Sequence, residues 1–274
     1  MDIIILPTAD EAVILTVRII EEQVRRRPES VLGLATGATM EDVYRRLVQA
    51  HTKEGLDFSQ VTTFNLDEYV GLTREDPRSY AAYMRRNLFE AAGIDENRGR
   101  LPDGAADDLV AECRAYEEAI RAAGGIDLQL LGIGRSGHIG FNEPMASPAS
   151  RTRRVVLAPE TIEQNGAYFG GKEHMPRLAL TMGIGTILES RRCLLLATGA
   201  EKADVLADAV EGPVRAMNPA SALQGHPACI VVCDEASAAG LRQRAYYDWL
   251  FQHDPAWARF RLSTAPPGSG CREG

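Results

Sequence analysis

The sequence has no long apolar segment. None of its apolar runs approaches the roughly 18 residues of a membrane-spanning helix, and the amino-terminal stretch MDIIILPTADEAV turns acidic after one short run. A secretory signal needs a longer apolar region that follows positive charge. These absences predict a cytoplasmic protein with no membrane partner.

Cysteine pairs are missing as well. The five cysteines are odd in number, and no two of them have C-x-x-C spacing. Disulfide frameworks and structural zinc sites both depend on paired cysteines. We therefore expect no disulfide framework and no metal site, and no sequence motif indicates an organic cofactor.

Positive charge is in deficit. The chain has 30 Lys and Arg residues against 38 Asp and Glu residues, which gives a formal net charge of -8. Nucleic acids and anionic membranes are bound by basic protein faces. The charge balance predicts no nucleic-acid partner, and it implies that an anionic ligand must be held by a local site.

Short aliphatic runs alternate with amphipathic stretches along the 274 residues. The runs have the composition of buried strands and the stretches have helical spacing, a rhythm typical of a mostly parallel sheet. We predict one α/β domain over residues 1–262, an open, doubly wound, Rossmann-like three-layer fold with helices on both faces, and a disordered tail over residues 263–274. The predicted strands are 3–6, 31–35, 61–64, 126–132, 193–197 and 230–233, and the first two helices are 11–26 and 41–52.

In such folds ligands bind beyond the carboxyl ends of the strands. The second predicted strand is followed by Thr36, Gly37, Ala38 and Thr39, directly before a helix. A helix start offers unpaired backbone N–H groups and the positive end of the helix dipole, which suit a phosphate. An ordinary threonine-capped helix is the alternative interpretation.

The third predicted strand leads into two adjacent carboxylates, Asp67 and Glu68. A carboxylate that is partly withdrawn from water has a raised pKa and suits the removal of a proton from carbon. A helix cap or a solvated turn is the alternative role for this pair.

The most informative segment follows the strand at 126–132. Four glycines fall within the nine residues from Gly132 to Gly140, and of the five histidines only His138 lies inside such a loop. A glycine-rich loop turns sharply or approaches a ligand closely. Glu143 follows near enough to orient the imidazole as an acid/base pair. A structural histidine is the alternative, and the other histidines are expected at the surface.

A fourth strand end, before Lys202, repeats the pattern of strand, glycine turn and helix start. A lysine in the first helical turn opposes the helix dipole, which points to an anion that compensates it. A solvated lysine is the alternative.

Five ordered motifs together resemble the glucosamine-6-phosphate deaminase family. They are LGLATGAT, VTTFNLDEYVGL, GHIGFNEP followed by SRTR, ALTMGIGTIL and GAEKADVL, and they extend from about residue 3 to about residue 250. The resemblance implies an aldose–ketose isomerase and deaminase that converts glucosamine 6-phosphate and water to fructose 6-phosphate and ammonia without a cofactor. The implied partner is a small amino sugar phosphate, and the resemblance leaves open whether the chain forms a homo-oligomer.

Position by position, the resemblance also implies roles. Asp67 becomes the base that moves a proton between C2 and C1 of the opened sugar, and His138, oriented by Glu143, opens the ring. The loop from Thr36 to Thr39, together with Lys202, falls where the family holds the substrate phosphate. Glu68 is expected beside the substrate.

Among the departures from the family pattern, two concern charged groups of the site. Ser136 stands where the family usually has an aspartate two residues before the histidine, and we place Ser136 with the catalytic group. Ala167 stands where the family typically has an arginine that grips the phosphate. The cations considered as replacements are Lys172, Arg151, Arg153 and Arg154.

These departures, in an otherwise preserved scaffold, raise the hypothesis of a modified, differently phosphorylated or unphosphorylated amino sugar as substrate. Two further alternatives stay open. One is a hydrolase similar to 6-phosphogluconolactonase, which would release no ammonia. The other is a non-catalytic sugar-phosphate sensor, which would bind the ligand without turnover.

Overall fold

The computed structural model describes residues 1–261, so the tail predicted from residue 263 lies outside the described residues. The strands are β1 (Asp2–Leu6), β2 (Val31–Leu34), β3 (Thr62–Asn65), β4 (Asp67–Tyr69), β5 (Gly99–Arg100), β6 (Leu128–Gly132), β7 (Arg153–Val156), β8 (Leu178–Thr181), β9 (Cys193–Ala197) and β10 (Cys229–Asp234).

The helices surround these strands. They are α1 (Ala9–Arg26), α2 (Ala38–Glu54), α3 (Tyr80–Met84), α4 (Glu90–Ala92), α5 (Leu109–Ala122), α6 (Pro159–Asn165), α7 (Ile184–Leu188), α8 (Ala203–Glu211), α9 (Arg244–His253) and α10 (Ala258–Arg261). A π-helical turn (Arg85–Phe89) joins α3 to α4, and short 3-10 turns cover Gly166–Phe169, Ala200–Lys202, Pro219–Gly225 and Pro255–Trp257. None of the helices within residues 1–261 has both the length and the apolar character of a membrane span.

The main sheet has seven strands in the order β1-β10-β9-β6-β2-β3-β5, and every neighbouring pair is parallel. This confirms the predicted three-layer α/β fold, and all six predicted strands are present with ends within two residues of the prediction. The central strands are buried on both faces, as in β9, where all five residues are buried. That burial explains why they appear in the sequence as continuous apolar runs.

Helix α1 shows how local sequence sets the elements around this sheet. The Thr8 side chain accepts a hydrogen bond from the backbone N–H of Glu11 at 3.2 Å, and the Glu11 carboxylate accepts one from the N–H of Thr8 at 3.1 Å. This capping box satisfies two N–H groups that the helix start would leave unpaired. Apolar residues such as Val13 and Ile20 then form the face that packs into the core.

A second, antiparallel sheet in the order β4-β8-β7 lies beside the main one. It was not predicted, because its strands have only three or four residues, too few to show a clear alternation, and β4 and β7 each begin with two charged side chains. This sheet sets the position of Asp67. In β4 the register pairs Asp67 with Thr181, which fixes where the carboxylate emerges from the end of β3.

The strand order places a crevice at the carboxyl edge of the main sheet. From β2 the chain adds strands toward β3 and β5, whereas from β6 it adds β9 and β10 in the opposite direction. At such a reversal the loops after the two central strands separate and leave room for a ligand. The loops that follow β2 and β6 are those with the threonine and histidine motifs.

Candidate active site

A cavity of about 270 Å³ opens at this crevice. It is lined by residues at the carboxyl ends of four adjacent strands, β9, β6, β2 and β3. One residue of α3 and two of α6 complete the lining. The lining comprises residues 35–40, 66–67 and 196–198, Gly132, Ile133, Gly134, His138, Gly140, Phe141, Glu201 and Lys202, with Tyr80, Gln164 and Asn165. The cavity thus brings together all four motifs singled out in the sequence.

The start of α2 forms part of the cavity wall. The helix begins at Ala38, three residues before the predicted start, and its N-cap is Gly37, which provides no side-chain cap. The carbonyl of Gly37 accepts a hydrogen bond from Tyr83 Oη at 2.9 Å, which holds the turn in place. Uncapped N–H groups at a helix start form an anion-binding geometry, and Thr36 and Thr39 add their hydroxyls to the same wall.

Asp67 lies in the floor of the cavity. The residue is 5% exposed, and no donor within residues 1–261 forms a hydrogen bond with its carboxylate. Burial, and the nearby charge of Glu68, raise the pKa of Asp67 to about 8. A carboxylate that is desolvated, unpaired and open to a cavity is poised to take a proton from a bound molecule.

Glu68 points away from the cavity, so its predicted place beside the substrate does not fit the structure. Its carboxylate accepts backbone hydrogen bonds from Tyr69 at 2.8 Å, Tyr80 at 3.0 Å and Ala81 at 2.8 Å. These contacts satisfy N–H groups at the start of α3. Glu68 therefore positions α3, and with it Tyr80, rather than contacting a ligand.

His138 belongs to a cluster of three polar side chains. Its Nδ1 lies 3.0 Å from Ser136 Oγ and 3.2 Å from Glu143 Oε2, and Ser136 Oγ donates to the same carboxylate oxygen at 3.2 Å. The hydroxyl of Thr161 donates to the other oxygen, Oε1. The structure thus brings Ser136, His138 and Glu143 together as the sequence predicted, and it adds Thr161 from α6.

The carboxylate of this cluster is held in its charged form. Burial opposes ionisation of Glu143, but hydrogen bonds from His138, Thr161 and Ser136 outweigh it and lower the pKa of the carboxyl group. A charged oxygen at Nδ1 fixes the orientation of the imidazole and leaves Nε2 to serve the cavity. Ser136 Oγ is the second polar neighbour of Nδ1, beside Glu143, and its hydroxyl adds no charge.

The loop with His138 also approaches Asp67 directly. A side chain at Gly140 would place its Cβ 3.3 Å from Asp67 Oδ2 and 3.0 Å from Thr181 Oγ1, and the residue has a positive φ of 56°. Glycine therefore permits both the turn and the close approach. This contact joins the carboxylate after β3 to the histidine loop after β6.

A family model described as glucosamine-6-phosphate isomerases/6-phosphogluconolactonase matches residues 7–231. The chain belongs to this family. It is 48% identical over 257 residues to a glucosamine-6-phosphate deaminase of Arthrobacter sp. (strain FB24), covering 94% of this chain and 99% of the relative. It is 52% identical over 245 residues to one of Rhodopirellula baltica, covering 89% and 98%.

Solved structures of the glucosamine-6-phosphate isomerase/6-phosphogluconolactonase family show the same fold. A monomeric glucosamine-6-phosphate deaminase superimposes with a TM-score of 0.86 at 44% identity, covering 88% of this chain and 100% of that chain. A 6-phosphogluconolactonase from Trypanosoma cruzi gives a TM-score of 0.70 at 20% identity, covering 88% and 96%. The second likeness concerns the fold alone.

The cations considered as replacements for an arginine at Ala167 do not line the cavity. Arg151 is paired with Glu117 and Glu189, and the guanidinium of Arg153 donates to Asn142 Oδ1 at 2.9 Å. Lys172 is paired with Glu163 at 2.7 Å on the surface, and Arg154 is exposed. None of the four therefore stands in for the family arginine in this structure.

Three cavity residues were missed from the sequence. They are Tyr80, which belongs to α3, and Gln164 and Asn165, which belong to α6. In the chain α3 follows β4 and α6 follows β7, so both helices come after strands of the small sheet. The sequence contains one indication of their role, which is that Gln164 and Asn165 lie close in the chain to position 167, where the family typically has its phosphate-binding arginine. The prediction that the remaining histidines are surface residues is wrong for His226, which is buried with Nε2 2.7 Å from the Ser190 carbonyl.

Proposed function

We propose that this protein is a glucosamine-6-phosphate deaminase, an enzyme that converts glucosamine 6-phosphate and water to fructose 6-phosphate and ammonia. The observation that carries the proposal is the unpaired, buried carboxylate of Asp67 in one cavity with the His138 cluster and the phosphate-type helix start. Deaminase relatives at 48% and 52% identity over most of the chain support the same substrate.

Ring opening is the first step and belongs to His138. The hydroxyl proton on C1 must leave while the ring oxygen gains one, so a group that both accepts and donates a proton is required. The imidazole suits this exchange because Glu143 and Ser136 hold Nδ1 and leave Nε2 for the substrate. The product of the step is an acyclic sugar with an aldehyde at C1.

Proton transfer on carbon is the second step and belongs to Asp67. The aldehyde at C1 acidifies the hydrogen on C2, and the Asp67 carboxylate removes it while the C1 oxygen takes a proton from the ammonium group of the substrate, which gives an enolamine. Returning the proton to C1 leaves an imine at C2. Water adds to this imine, and collapse of the adduct releases ammonia and the C2 ketone, so that every proton and oxygen is accounted for.

Phosphate binding belongs to the loop Thr36, Gly37, Ala38 and Thr39, together with Lys202, which lines the same cavity. The N–H groups at the start of α2 point toward an anion, and the lysine supplies a full positive charge. Together they place the sugar so that C1 and C2 lie near Asp67 and His138.

An ammonia-release assay tests this proposal. Glucosamine 6-phosphate is supplied to the purified protein, ammonia is measured with a coupled glutamate dehydrogenase reaction, and fructose 6-phosphate is identified by NMR. Glucosamine and 6-phosphogluconolactone are supplied in parallel. We expect ammonia from glucosamine 6-phosphate at a kcat/KM at least about 100-fold above that for glucosamine, because the phosphate contacts hold the substrate in place.

Each alternative has its own outcome. Hydrolysis of the lactone without release of ammonia would indicate a 6-phosphogluconolactonase, although the likeness to those structures is only 20% in sequence. Comparable turnover of glucosamine would indicate an unphosphorylated substrate. Binding of the sugar phosphate without any product would indicate a sensor. Any of these results would contradict the proposed function.

A further inference from the structure

The cavity supplies less positive charge than a phosphate monoester requires. Such a group carries about -1.5 to -2 charges at pH 7. Among the residues that line the cavity, Lys202 is the only lysine or arginine in the part of the chain that the structure describes. Buried or half-buried anions are stable when paired and hydrogen-bonded. The N–H groups at the start of α2 offset part of this charge, and a second cation at the rim would balance the rest.

Arg135 is placed to supply it. It follows Gly134, which lines the cavity, in the loop after β6, while Lys202 lies after β9. The two strands are hydrogen-bonded neighbours whose register pairs Gly132 with Leu196, so the two loops emerge side by side. Both cations therefore approach the same end of the cavity from adjacent strands.

Arg135 is also available for a ligand. Its side chain is exposed, and within residues 1–261 it forms neither a hydrogen bond nor an ion pair. The pKa of Lys202 is lowered by its partial burial, and the charge of Arg135 contributes to the lowering. Two positive groups repel each other at a cavity mouth, and an anion bound between them stabilises both charges.

Two carboxylates share this region and must be considered. Glu201 and Glu160 act on Lys202 in the opposite sense and favour its charged form. Neither forms an ion pair with Lys202 in the described part of the chain, so the ammonium group remains free to bind. Their negative charges offset part of the attraction that Lys202 exerts on an incoming anion, so a second cation beside it adds to that attraction.

We propose that Arg135 is a specificity-determining residue that binds the phosphate group of the substrate together with Lys202. The inference rests on the proposed function, because it assigns the phosphate end of the same site. It supplies the cation that none of Arg151, Arg153, Arg154 and Lys172 provides. A planar guanidinium binds two phosphate oxygens at once, which a lysine at this position would not reproduce fully.

The test compares Arg135→Ala and Arg135→Lys with Arg25→Ala. Arg25 is an exposed arginine in the last turn of α1, at the opposite edge of the sheet, so its removal makes the same change in net charge. We expect Arg135→Ala to raise KM for glucosamine 6-phosphate by about tenfold, the loss typical of one charge-assisted hydrogen bond, with a smaller change in kcat. Arg135→Lys should recover part of the loss, and Arg25→Ala should match the wild type.

Binding of inorganic phosphate, measured by calorimetry, gives a second readout that needs no turnover. We expect Arg135→Ala to weaken it by a similar factor and to make it less sensitive to sodium chloride, since one screened charge has been removed. Unchanged KM and unchanged phosphate affinity in Arg135→Ala would overturn the proposal, as would a wild-type protein that binds no phosphate. A wild-type protein that binds phosphate through Arg135 but releases no ammonia would instead refute the deaminase function alone.

Discussion

The imidazole of His138 lies directly against the backbone of Gly134. A Cβ added at Gly134 would come within 2.1 Å of ring atoms Cε1 and Nε2. The same two residues are joined by a hydrogen bond from the Gly134 N–H to the His138 carbonyl at 2.9 Å. The loop therefore folds back on itself, and the absence of a side chain at Gly134 leaves room for the imidazole.

This relationship predicts the effect of Gly134→Ala. The methyl group must displace the ring, and a shift of about 1 Å in a catalytic group costs on the order of 100-fold in rate. We expect kcat for ammonia release to fall by at least that factor while the thermal unfolding midpoint changes little. Gly225→Ala is the matched control, because a Cβ there meets no heavy atom within 4 Å. Retained activity in Gly134→Ala would mean that catalysis does not depend on the position of the His138 imidazole.

Asp67→Asn tests the base. The amide keeps the shape of the side chain but accepts no proton from carbon, so kcat should fall by about 10²–10⁴-fold. In the wild type, kcat/KM should rise with pH as the carboxyl ionises, because burial raises the pKa of Asp67 to about 8. A steady-state pH profile of the wild type measures this rise. Turnover by Asp67→Asn near the wild-type rate would rule out the proposed role.

The same substitution should stabilise the fold in alkaline solution. The pKa of Asp67 is raised on folding, so the folded state keeps a proton that the unfolded state releases, and this contribution to stability is lost as pH rises through about 8. Asparagine carries no charge at any pH. We expect Asp67→Asn to exceed the wild type by roughly 1–3 kcal/mol in free energy of unfolding at about pH 9, and to match it near pH 4. Urea denaturation at the two pH values provides the measurement; a constant difference would contradict it.

Ser136→Ala isolates the hydroxyl beside the histidine. The change removes the contacts of 3.0 Å to His138 Nδ1 and 3.2 Å to Glu143 while the carboxylate stays in place. Loss of a hydrogen bond to a charged group is worth about 1.5–3 kcal/mol, and only part of this loss should reach the barrier because Thr161 and His138 still bond to the carboxylate. We therefore expect kcat to fall by roughly three- to tenfold. Ser147→Ala, at an exposed position of the same region, should leave kcat unchanged; equal effects of the two variants would deny Ser136 a positioning role.

Glu117 tests stability away from the cavity. Its carboxylate accepts hydrogen bonds from Thr152 N at 2.8 Å, from Thr186 Oγ1 at 2.6 Å and from Arg151 Nε at 3.0 Å, which joins α5 to the starts of β7 and α7. Burial opposes ionisation, but these bonds prevail and lower the pKa of Glu117. The stability it contributes is therefore present at neutral pH and is lost as the solution becomes acidic enough to protonate it.

We expect Glu117→Gln to lower the free energy of unfolding by about 2–3 kcal/mol at pH 7, because an amide accepts fewer of these bonds and adds an unpaired donor. The difference should shrink below about pH 4, where the wild-type carboxyl is itself protonated. Glu118→Gln is the control, since Glu118 pairs with Arg121 on the surface, where an exposed pair contributes little. An effect of Glu118→Gln as large as that of Glu117→Gln would contradict this account.

The amino-acid sequence by itself determined the main sheet and the composition of the site. Strands buried on both faces need continuous apolar runs, which is why β9 could be predicted from Cys193 to Ala197 without error. Parallel strands in turn place their carboxyl ends at one edge, so chain order alone predicts that Asp67, His138 and Lys202 lie at one crevice. These features follow from local periodicity and chain order.

Only the tertiary structure decided which groups face the ligand. Asp67 and Glu68 are neighbours with the same chemistry, yet pairing of β4 with β8 turns one carboxylate into the cavity and leaves the other to the N–H groups of α3. Successive side chains of a strand point to opposite faces, so the choice depends on which face a distant strand covers. Thr161 and Tyr80 likewise reach the site through contacts between segments far apart in the chain, which no local pattern in the sequence encodes.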